Sequence, residues 1–572
     1  MGKHRGKSKV NASNHPTGKS AKRDSANREG AKQEGVNQVS GAGKGAKRAG
    51  AEREGANREG AQGGQAVNVT LDGSAITLNA LDEWLGRPLH VELTDAVRER
   101  VARSAEAVRK IAGGTKAAYG INTGFGKLCT TKIDAAQIER LQNNLILSHA
   151  VGVGEAAPPE IVRLMMLFKI QALTHGVSGL SPRTLQCLID LLHADLLPVV
   201  PTQGSLGASG DLAPLAHMVL PMLGRGSVVV DGEVQTAREA LKRQGIEPVR
   251  LGPKEGLALI NGTQFMCAYG AAVAVRARRL AKQADIIATM SLEGYRGSVQ
   301  PFDERLHRLR PHEGAVETAR NVRRMMADSE ILESHKDCGK VQDPYSLRCV
   351  PQVHGASRDA LRHACRVIET EINAVTDNPL IFDGEEVISG GAFHGQPLAL
   401  VLDYLAIALA EWASISERRV YLLLTGADGL PLMLTPEPGV NSGWMVPHFT
   451  AAALVSENKG LCMPASVDSI PTSLGQEDHV SMGARAAVKC WRVLENAETV
   501  LAIEQLVAAQ ALDFRQPLKA GRGPQAAYEE VRRVISHAPE DRMFGDDIQA
   551  SLSLLRSQRV PQAVERAIGP LP

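Results

Sequence analysis

The sequence predicts a mainly α-helical protein with a smaller mixed α/β region near its N-terminus and a disordered basic tail in front of it. Three observations predict this class. Alanine and leucine are abundant, while aromatic residues make up only 3% of the 572 residues, which favours packed helices over sheets. Residues 397–419 and 485–512 are apolar around much of a helical circumference, as in the central helices of a bundle. Residues 1–64 contain almost no large apolar side chains.

The tail, residues 1–64, is rich in Gly, Ala, Asn and Ser. Its fourteen Lys and Arg against six Asp and Glu give it a charge of +8, compared with +2 for the whole chain. Such a segment cannot bury enough apolar surface to fold. We therefore expect a solvated tail, with weak binding to RNA or to an anionic surface as the less favoured alternative. The nearly neutral chain as a whole gives no indication of a specific nucleic acid partner.

Order is predicted to begin at about residue 66. Residues 67–71 and 76–78 alternate apolar and polar on either side of Asp72-Gly73, which predicts a β-hairpin. Apolar residues at helical spacing then predict a helix that begins near Thr94.

Two more turns are predicted further along the chain. A second hairpin is expected around Asp231-Gly232, followed by a helix that opens with the capping box Thr236-Ala-Arg-Glu239. A small β feature is expected near Asp383-Gly384. We divide the ordered part into an N-terminal region, residues 65–260, and a central and C-terminal helical bundle, residues 261–572.

Cysteine usage and hydropathy predict a cytoplasmic protein without a membrane partner. The eight cysteines are scattered and no Cys-x-x-Cys occurs, which is typical of reduced thiols. No apolar run reaches the ~18 residues that cross a bilayer, and the N-terminus lacks the apolar core of a signal peptide. The sixteen histidines show neither His-x-x-x-His pairs nor cysteine partners at ligand spacing, so no metal site is predicted.

The tripeptide Ala208-Ser209-Gly210 can become its own electrophile. If the amide nitrogen of Gly210 attacks the carbonyl carbon of Ala208, a five-membered ring closes. Loss of two waters, one carrying the Ser209 hydroxyl, then leaves a methylidene-imidazolone. Glycine lets its nitrogen approach without a Cβ in the way. Taken alone, the same residues also fit an ordinary turn into a helix with Asp211 as N-cap.

A glycine-rich stretch, Tyr119-Gly-Ile-Asn-Thr-Gly-Phe-Gly126, carries a phenol that can act as a base. A tyrosine with a pKa near ~10 must be lowered by about 3 units to act at neutral pH, which asks ~4 kcal/mol of its surroundings. Glycines 120, 124 and 126 do not fit the dinucleotide pattern Gly-x-Gly-x-x-Gly and no strand leads into them, so no nucleotide is predicted. Alone, the stretch also reads as a flexible loop.

Three further motifs carry polar or aromatic residues suited to an amino acid substrate. In Gln342-Asp-Pro-Tyr345-Ser-Leu-Arg348, the guanidinium can hold a carboxylate through two parallel hydrogen bonds. Asn261 stands in an Asn-Gly turn, and Phe393 in the segment Gly390-Gly-Ala-Phe-His-Gly395. Each of these motifs alone would be read as an ordinary turn.

Together the motifs resemble those of the aromatic amino acid ammonia-lyases, a family that includes related aminomutases, from about residue 66 to the C-terminus. The resemblance implies an aspartase/fumarase-like superhelical bundle of long central helices. It implies a homotetramer whose active sites take residues from more than one subunit, and a 4-methylidene-imidazol-5-one formed from residues 208–210, without metal or nucleotide.

The resemblance also assigns roles to individual residues. It implies that Tyr119 removes the β proton and that Tyr345 is a second catalytic phenol. It implies that Asn261 and Phe393 lie beside the electrophile. Gln342 is a polar neighbour of the amino acid, and Arg348 holds its carboxylate.

Two segments resemble the histidine-specific members. Ser148-His149 matches the place where a histidine contacts the substrate imidazole, and Gln476-Glu477-Asp478-His479 follows the histidine-type pattern with its carboxylate. A carboxylate facing an imidazole or an amine is electrostatically favourable. The sequence departs from the usual pattern at Ala392, Gly475 and Cys462-Met463.

We expect elimination of ammonia from L-histidine to give trans-urocanate, the first step of histidine degradation. Glu477 is the third residue to which we assign a catalytic role, with His149 binding substrate. A tyrosine or phenylalanine ammonia-lyase, or an aromatic 2,3-aminomutase with the same electrophile, remains the alternative. A non-catalytic helical scaffold is the more remote one.

Overall fold

The computed structural model describes residues 65–124, 133–384 and 386–572; the predicted tail lies outside them. In this part of the chain the β-structure consists of short strands. They are β1 Val67–Leu71, β2 Leu89–Leu93, β3 Val153–Ala156, β4 Leu197–Pro198, β5 Pro201–Gln203, β6 Ser227–Val230, β7 Glu233–Thr236, β8 Leu380–Phe382 and β9 Glu386–Ile388.

Helices make up most of the described residues. The first eight precede the long bundle helices: α1 Leu78–Trp84, α2 Asp95–Gly113, α3 Ile138–His149, α4 Pro159–Thr174, α5 Pro182–His193, α6 Leu212–Val219, α7 Ala237–Gln244 and α8 Glu255–Ile260. The others are α9 Gln264–Tyr295, α10 Glu304–Leu309, α11 Glu313–Met325, α12 Glu330–Glu333, α13 Tyr345–Arg348, α14 Val350–Ile372, α15 Gln396–Leu423, α16 Met445–Leu461, α17 Gly483–Asp513, α18 Arg522–Arg532, α19 Phe544–Arg556 and α20 Arg559–Ile568.

The first predicted hairpin is wrong. Strand β1 pairs with β2 in parallel, with Val67 opposite Leu89, and α1 forms the crossover between them. The apolar residue at position 78 starts that helix instead of a returning strand, because the side chain of Thr77 accepts a hydrogen bond from the amide of Ala80 at 3.2 Å. A threonine cap of this kind favours helix over strand.

The other local predictions for this region are confirmed. Helix α2 begins directly after Thr94. Strands β6 and β7 form a hairpin around Asp231 and Gly232, which both have positive φ, as a two-residue type I′ turn requires. The Thr236 hydroxyl accepts from the amide of Glu239 at 3.4 Å and caps α7.

Four long helices, α9, α14, α15 and α17, form the centre, where α9 and α15 pack against each other and against both α14 and α17. The segments predicted as 397–419 and 485–512 are the cores of α15 and α17, each extended by a few residues at its ends. Side chains all around α17 are buried, which explains its lack of a polar face. The predicted superhelical bundle is therefore confirmed.

Buried charges connect the bundle helices. The Arg419 guanidinium on α15 pairs with Glu504 on α17, and both side chains are fully buried. On α9, Asp285 accepts from His354 at 2.9 Å and from Arg358 at 2.7 Å, and these arginine and histidine donors keep its pKa near 2 despite burial that would raise it. Because an unpaired buried charge is costly, such pairs favour one mutual arrangement of the helices.

Helix α15 is, within the described part of the chain, long and apolar enough to cross a membrane by length and composition. Two thirds of its most apolar window, 67%, is buried by the rest of the protein. The apolar composition of α15 is explained by its position at the centre of the helical bundle.

Candidate active site

The tripeptide Ala208-Ser209-Gly210 lies immediately before α6 and is attached to the junction between α8 and α9. Gly210 forms a parallel β-bridge with Gly262, and the amide of Asp211 donates to the Gly262 carbonyl at 2.7 Å. The side-chain amide of Asn261 donates to the carbonyl of Ser209 at 2.7 Å. Residues 209 to 211 are thus held by two consecutive residues, Asn261 and Gly262.

Glycine is required at position 210. Its φ of +75° is in the left-handed region, and a Cβ atom there would lie 2.1 Å from the carbonyl oxygen of Gly262. A side chain at this position would therefore force the tripeptide away from Gly262.

Helix N-termini converge on this loop. Helix α6 starts at its end, α9 starts two residues after Gly262, and α17 starts beside it. At the start of α17, the amide of Met482 donates to the Leu206 carbonyl at 2.8 Å, and the Ser481 hydroxyl donates to the Gly207 carbonyl at 3.2 Å. The positive ends of helix dipoles favour developing negative charge, so this surrounding suits an electrophile.

A pocket of about 1480 Å³ opens beside the loop. Most of the predicted site residues line it. They are Tyr119, His149, Ala208, Ser209, Asn261, Phe393 and Glu477. Residues that are far apart in sequence, on different helices and loops, are thus brought together by the fold.

Glu477 faces the tripeptide directly. The Ser209 hydroxyl donates to one of its carboxylate oxygens at 2.9 Å, and the hydroxyls of Thr472 and Ser473 donate to the other at 2.6 and 2.8 Å. Partial burial alone would raise its pKa, but these three hydroxyl donors and nearby His149 outweigh burial and lower it below the usual value. Glu477 is therefore an anion at neutral pH.

His149 ends α3 and lies in the same pocket. The Ser148 hydroxyl is 3.0 Å from its Nδ1. Burial lowers its pKa, against the smaller opposing effects of the Leu145 carbonyl and of Glu477. A neutral imidazole beside a carboxylate can both accept and donate hydrogen bonds to a substrate ring.

Asp211, the residue after the tripeptide, is fully buried. Burial raises the pKa of its carboxyl group to about 7, although hydrogen bonds from the Met266 amide and the Ser205 hydroxyl favour the anion. The carboxyl group ties the loop to the first turn of α9. It is the helix N-cap by position, but its side chain bonds to α9 instead of capping α6.

Tyr119 is half-buried and reaches the pocket from the glycine-rich stretch. The next residue, Gly120, has a φ of +69° and leaves no room for a Cβ against Leu257. Phe125 and Gly126, the end of that stretch, lie outside the described residues. Phe393 is on the turn that precedes α15.

Gln342, Tyr345 and Arg348 do not line this pocket. They lie on and before the short helix α13, where Tyr345 is 75% exposed and the Arg348 guanidinium lies 5.7 Å from its ring centroid. The single chain thus does not bring these three residues to the tripeptide.

The sequence analysis missed part of the lining. One face of α3 contributes Leu141 and Leu145, which lie eight and four residues before His149, and this helical spacing could have found them. Asn378 was not singled out either; its side-chain carbonyl accepts from the Gly390 amide at 2.6 Å and so holds the turn that carries Phe393.

Over residues 65–124, 133–384 and 386–572, no group of three or more His, Cys, Asp or Glu is placed to hold a metal ion. The polar groups of the pocket instead surround a loop that can supply its own reactive group.

The fold and the pocket agree with the known proteins to which this chain is similar. Residues 76–533 match the aromatic amino acid lyase family, and the chain belongs to it. The histidine ammonia-lyase of Stigmatella aurantiaca is 49% identical over 501 residues, covering 87% of this chain and 98% of that protein. The crystal structure of histidine ammonia-lyase from Trypanosoma cruzi is 41% identical with a TM-score of 0.81, covering 88% of this chain and 96% of that one.

Similarity extends to an aminomutase. The structure of tyrosine aminomutase from Streptomyces globisporus is 36% identical with a TM-score of 0.83, covering 88% of this chain and all of that one. The chain is therefore an enzyme of the carbon–nitrogen lyase class, and its fold is shared by relatives with different substrates.

Proposed function

We propose that this enzyme eliminates ammonia from L-histidine to give trans-urocanate, the opening step of histidine degradation. Relatives named histidine ammonia-lyase, about half identical over nearly their whole length, support this substrate. The structural observation that carries it is the grouping of Ser209, Glu477 and His149 in one pocket, with the Ser209 hydroxyl bonded to the Glu477 carboxylate.

The residues around the tripeptide fit a methylidene-imidazolone. Gly210 has a φ of +75°, which residues with a side chain rarely adopt, and the Ser209 hydroxyl, which must leave, is bonded to a carboxylate. The Asn261 amide bonds to the carbonyl that would become part of the ring. Once formed, the group would supply an electron-poor carbon that makes loss of ammonia possible without a metal.

The chain's own residues would then transfer the proton and orient the substrate. Tyr119 is the general base that removes the proton from the substrate Cβ. The Asn261 amide keeps polarising the Ser209 carbonyl, and the helix N-termini around the loop favour the negative charge that develops there. Phe393 closes one side of the pocket and excludes water from it.

His149 and Glu477 recognise the imidazole ring of the substrate. His149 is neutral because burial lowers its pKa, so one ring nitrogen donates and the other accepts. Glu477 is anionic and attracts the substrate's ammonium or imidazole N–H. A phenyl ring offers these two groups no hydrogen-bond partner, and a phenol offers one hydroxyl in place of the two ring nitrogens of an imidazole.

A parallel turnover assay tests the substrate. The purified chain is given L-histidine, L-tyrosine and L-phenylalanine, and each arylacrylate is followed by ultraviolet absorbance. We expect urocanate from histidine alone. Coumarate or cinnamate as the main product would refute the assignment of His149 and Glu477 while leaving the electrophile in place. A β-amino acid product would indicate an aminomutase.

We propose that the chain forms a homotetramer in which a second copy of the chain completes each active site. Gln342, Tyr345 and Arg348 are the residues that neighbouring subunits would supply, because in the single chain they are solvent-accessible and outside the pocket. Helix α15 carries an exposed apolar stripe of Leu400, Tyr404 and Ile407, each 43–53% exposed. Such a stripe on a central helix favours burial against another subunit.

Complementation between two inactive variants tests this arrangement. Ser209→Ala removes the electrophile from one chain, and Arg348→Ala removes the carboxylate contact from another. If Ser209 and Arg348 of one site come from different chains, mixed tetramers regain sites with both native residues and recover part of the activity. Mixtures that stay as inactive as the separate variants would contradict the shared site.

We place the reaction in the cytoplasm. The described cysteines are all free thiols, four of them at least partly accessible to solvent, which suits a reducing compartment.

A further inference from the structure

Lys169, on α4, is a buried cation directly behind the tripeptide. Its side chain is 1% exposed. Its ammonium group donates to the main-chain carbonyl of Asn261 at 2.8 Å and to that of Ala258 at 3.2 Å. The Ala258 carbonyl lies in α8 and the Asn261 carbonyl directly after it, at the end where a helix leaves its acceptors unsatisfied.

Neutral donors or water satisfy the carbonyls at most helix ends. A buried ammonium group at this position instead costs the free energy of removing a charge from water. Among the described residues, no carboxylate lies within ion-pair distance of the Lys169 ammonium. Its charge is compensated only at longer range by Asp377 and Asp211, and burial lowers its pKa to about 8. At neutral pH the group is nevertheless mostly protonated.

The cation is connected to the reactive loop through one residue. The carbonyl of Asn261 accepts from Lys169, and the side-chain amide of Asn261 donates to the Ser209 carbonyl. The next residue, Gly262, carries the bridge to Gly210 and accepts from the Asp211 amide. Holding Asn261 in place therefore also holds the main-chain segment to which residues 209 to 211 are bonded.

We infer that Lys169 is a positioning residue for electrophile formation: its ammonium group holds the Asn261 main chain so that the Asn261 amide stays bonded to the Ser209 carbonyl and residues 208–210 remain in the geometry that cyclises. This inference rests on the proposed function. Lys169 lies outside the pocket lining and touches no substrate, so it acts through Asn261.

The test measures the electrophile itself as well as turnover. Full-length protein is prepared as the native chain and as Lys169→Met and Lys169→Arg. The fraction of folded chains that carry the electrophile is followed over time by near-ultraviolet absorbance and by the mass deficit of two waters. We expect cyclisation about tenfold slower in Lys169→Met, equivalent to ~1.4 kcal/mol. Lys169→Arg, which keeps charge and donors, should recover most of the rate.

Lys489→Met is the matched control. Lys489 is equally a buried lysine, bonded to Asp403 at 3.0 Å and to the Met463 carbonyl, and none of these residues lines the pocket. Its removal leaves a buried carboxylate unpaired, so it should destabilise the fold at least as much as Lys169→Met. If slow cyclisation were only a consequence of instability, Lys489→Met would cyclise slowly too; we expect it to cyclise like the native chain.

Native cyclisation in folded Lys169→Met overturns the inference, as does equal slowing in Lys489→Met. If Lys169→Met does not fold, Lys169→Gln replaces it, because its shorter uncharged side chain cannot hold both carbonyls. Folded Lys169→Gln that cyclises at the native rate would also overturn it. A native chain with neither electrophile nor urocanate production would instead refute the proposed function, so the two failures are distinguishable.

Discussion

Replacing Gly210 by alanine tests the backbone contact on which the reactive loop is built. The native φ is +75°, which costs an L-residue about 1–2 kcal/mol. The new Cβ would also lie 2.1 Å from the main-chain oxygen of Gly262. Main chain cannot rotate away as a flexible side chain can, so the β-bridge must open and the 2.7 Å bond from Asp211 to Gly262 is lost.

The loss of that buried hydrogen bond adds about 1–3 kcal/mol. Together with the backbone strain, we expect Gly210→Ala to lower the free energy of unfolding by about 2–5 kcal/mol. We also expect it to abolish electrophile formation, because the shift of the Gly210 backbone changes the position of its nitrogen relative to the Ala208 carbonyl carbon.

Gly232→Ala is the matched control. Gly232 has a similar φ of +82° in the β6–β7 turn, but no heavy atom lies within 4 Å of the position of its Cβ. It should therefore show only the strain of about 1–2 kcal/mol and keep the electrophile. Thermal unfolding and near-ultraviolet absorbance of both variants give the comparison. Equal destabilisation of the two variants, with native absorbance in Gly210→Ala, would refute the reasoning.

Two further predictions concern charged groups. Glu477→Gln should lose activity, and its stability relative to the native chain should depend on pH. Hydroxyl donors lower the pKa of Glu477, so the carboxylate stabilises the folded chain above its ordinary pKa of 4.5. This stabilisation is lost as the pH falls through the lowered pKa of the folded chain. A difference in Tm from the native chain that persists unchanged at low pH would contradict this. Arg419→Met should destabilise the bundle by about 3–5 kcal/mol, since it leaves fully buried Glu504 without its partner; chemical denaturation measures this, and a loss under about 1 kcal/mol would rule out the pair as a main constraint on the bundle.

Helix-forming patterns were predictable from the sequence because each depends on neighbouring residues. The periodicity of α15 and α17, the start of α2 near Thr94 and the cap at Thr236 needed no knowledge of the rest of the chain. The first hairpin failed for the opposite reason. The partner of β1 lies beyond α1, and the alternation around Ile76 matched a strand although Thr77 caps a helix.

The site was predictable where a short motif carries the chemistry, as with Ser209 and Asn261. Lys169 was not, because nothing in the neighbouring sequence distinguishes it: its bonds to the carbonyls of Ala258 and Asn261 exist only in the folded chain. The contact between Gly210 and Gly262 was missed for the same reason, since the two glycines are brought together only by tertiary structure.

The central claim is that residues 208–210 cyclise into the reactive group. The most direct measurement is the mass of the peptide that contains Ala208-Ser209-Gly210, taken from native chain and from Ser209→Ala, alongside near-ultraviolet absorbance and turnover of L-histidine. We expect a native peptide lighter by two waters, and a Ser209→Ala peptide of full mass in a folded, inactive protein. An uncyclised native peptide in an active enzyme would contradict it.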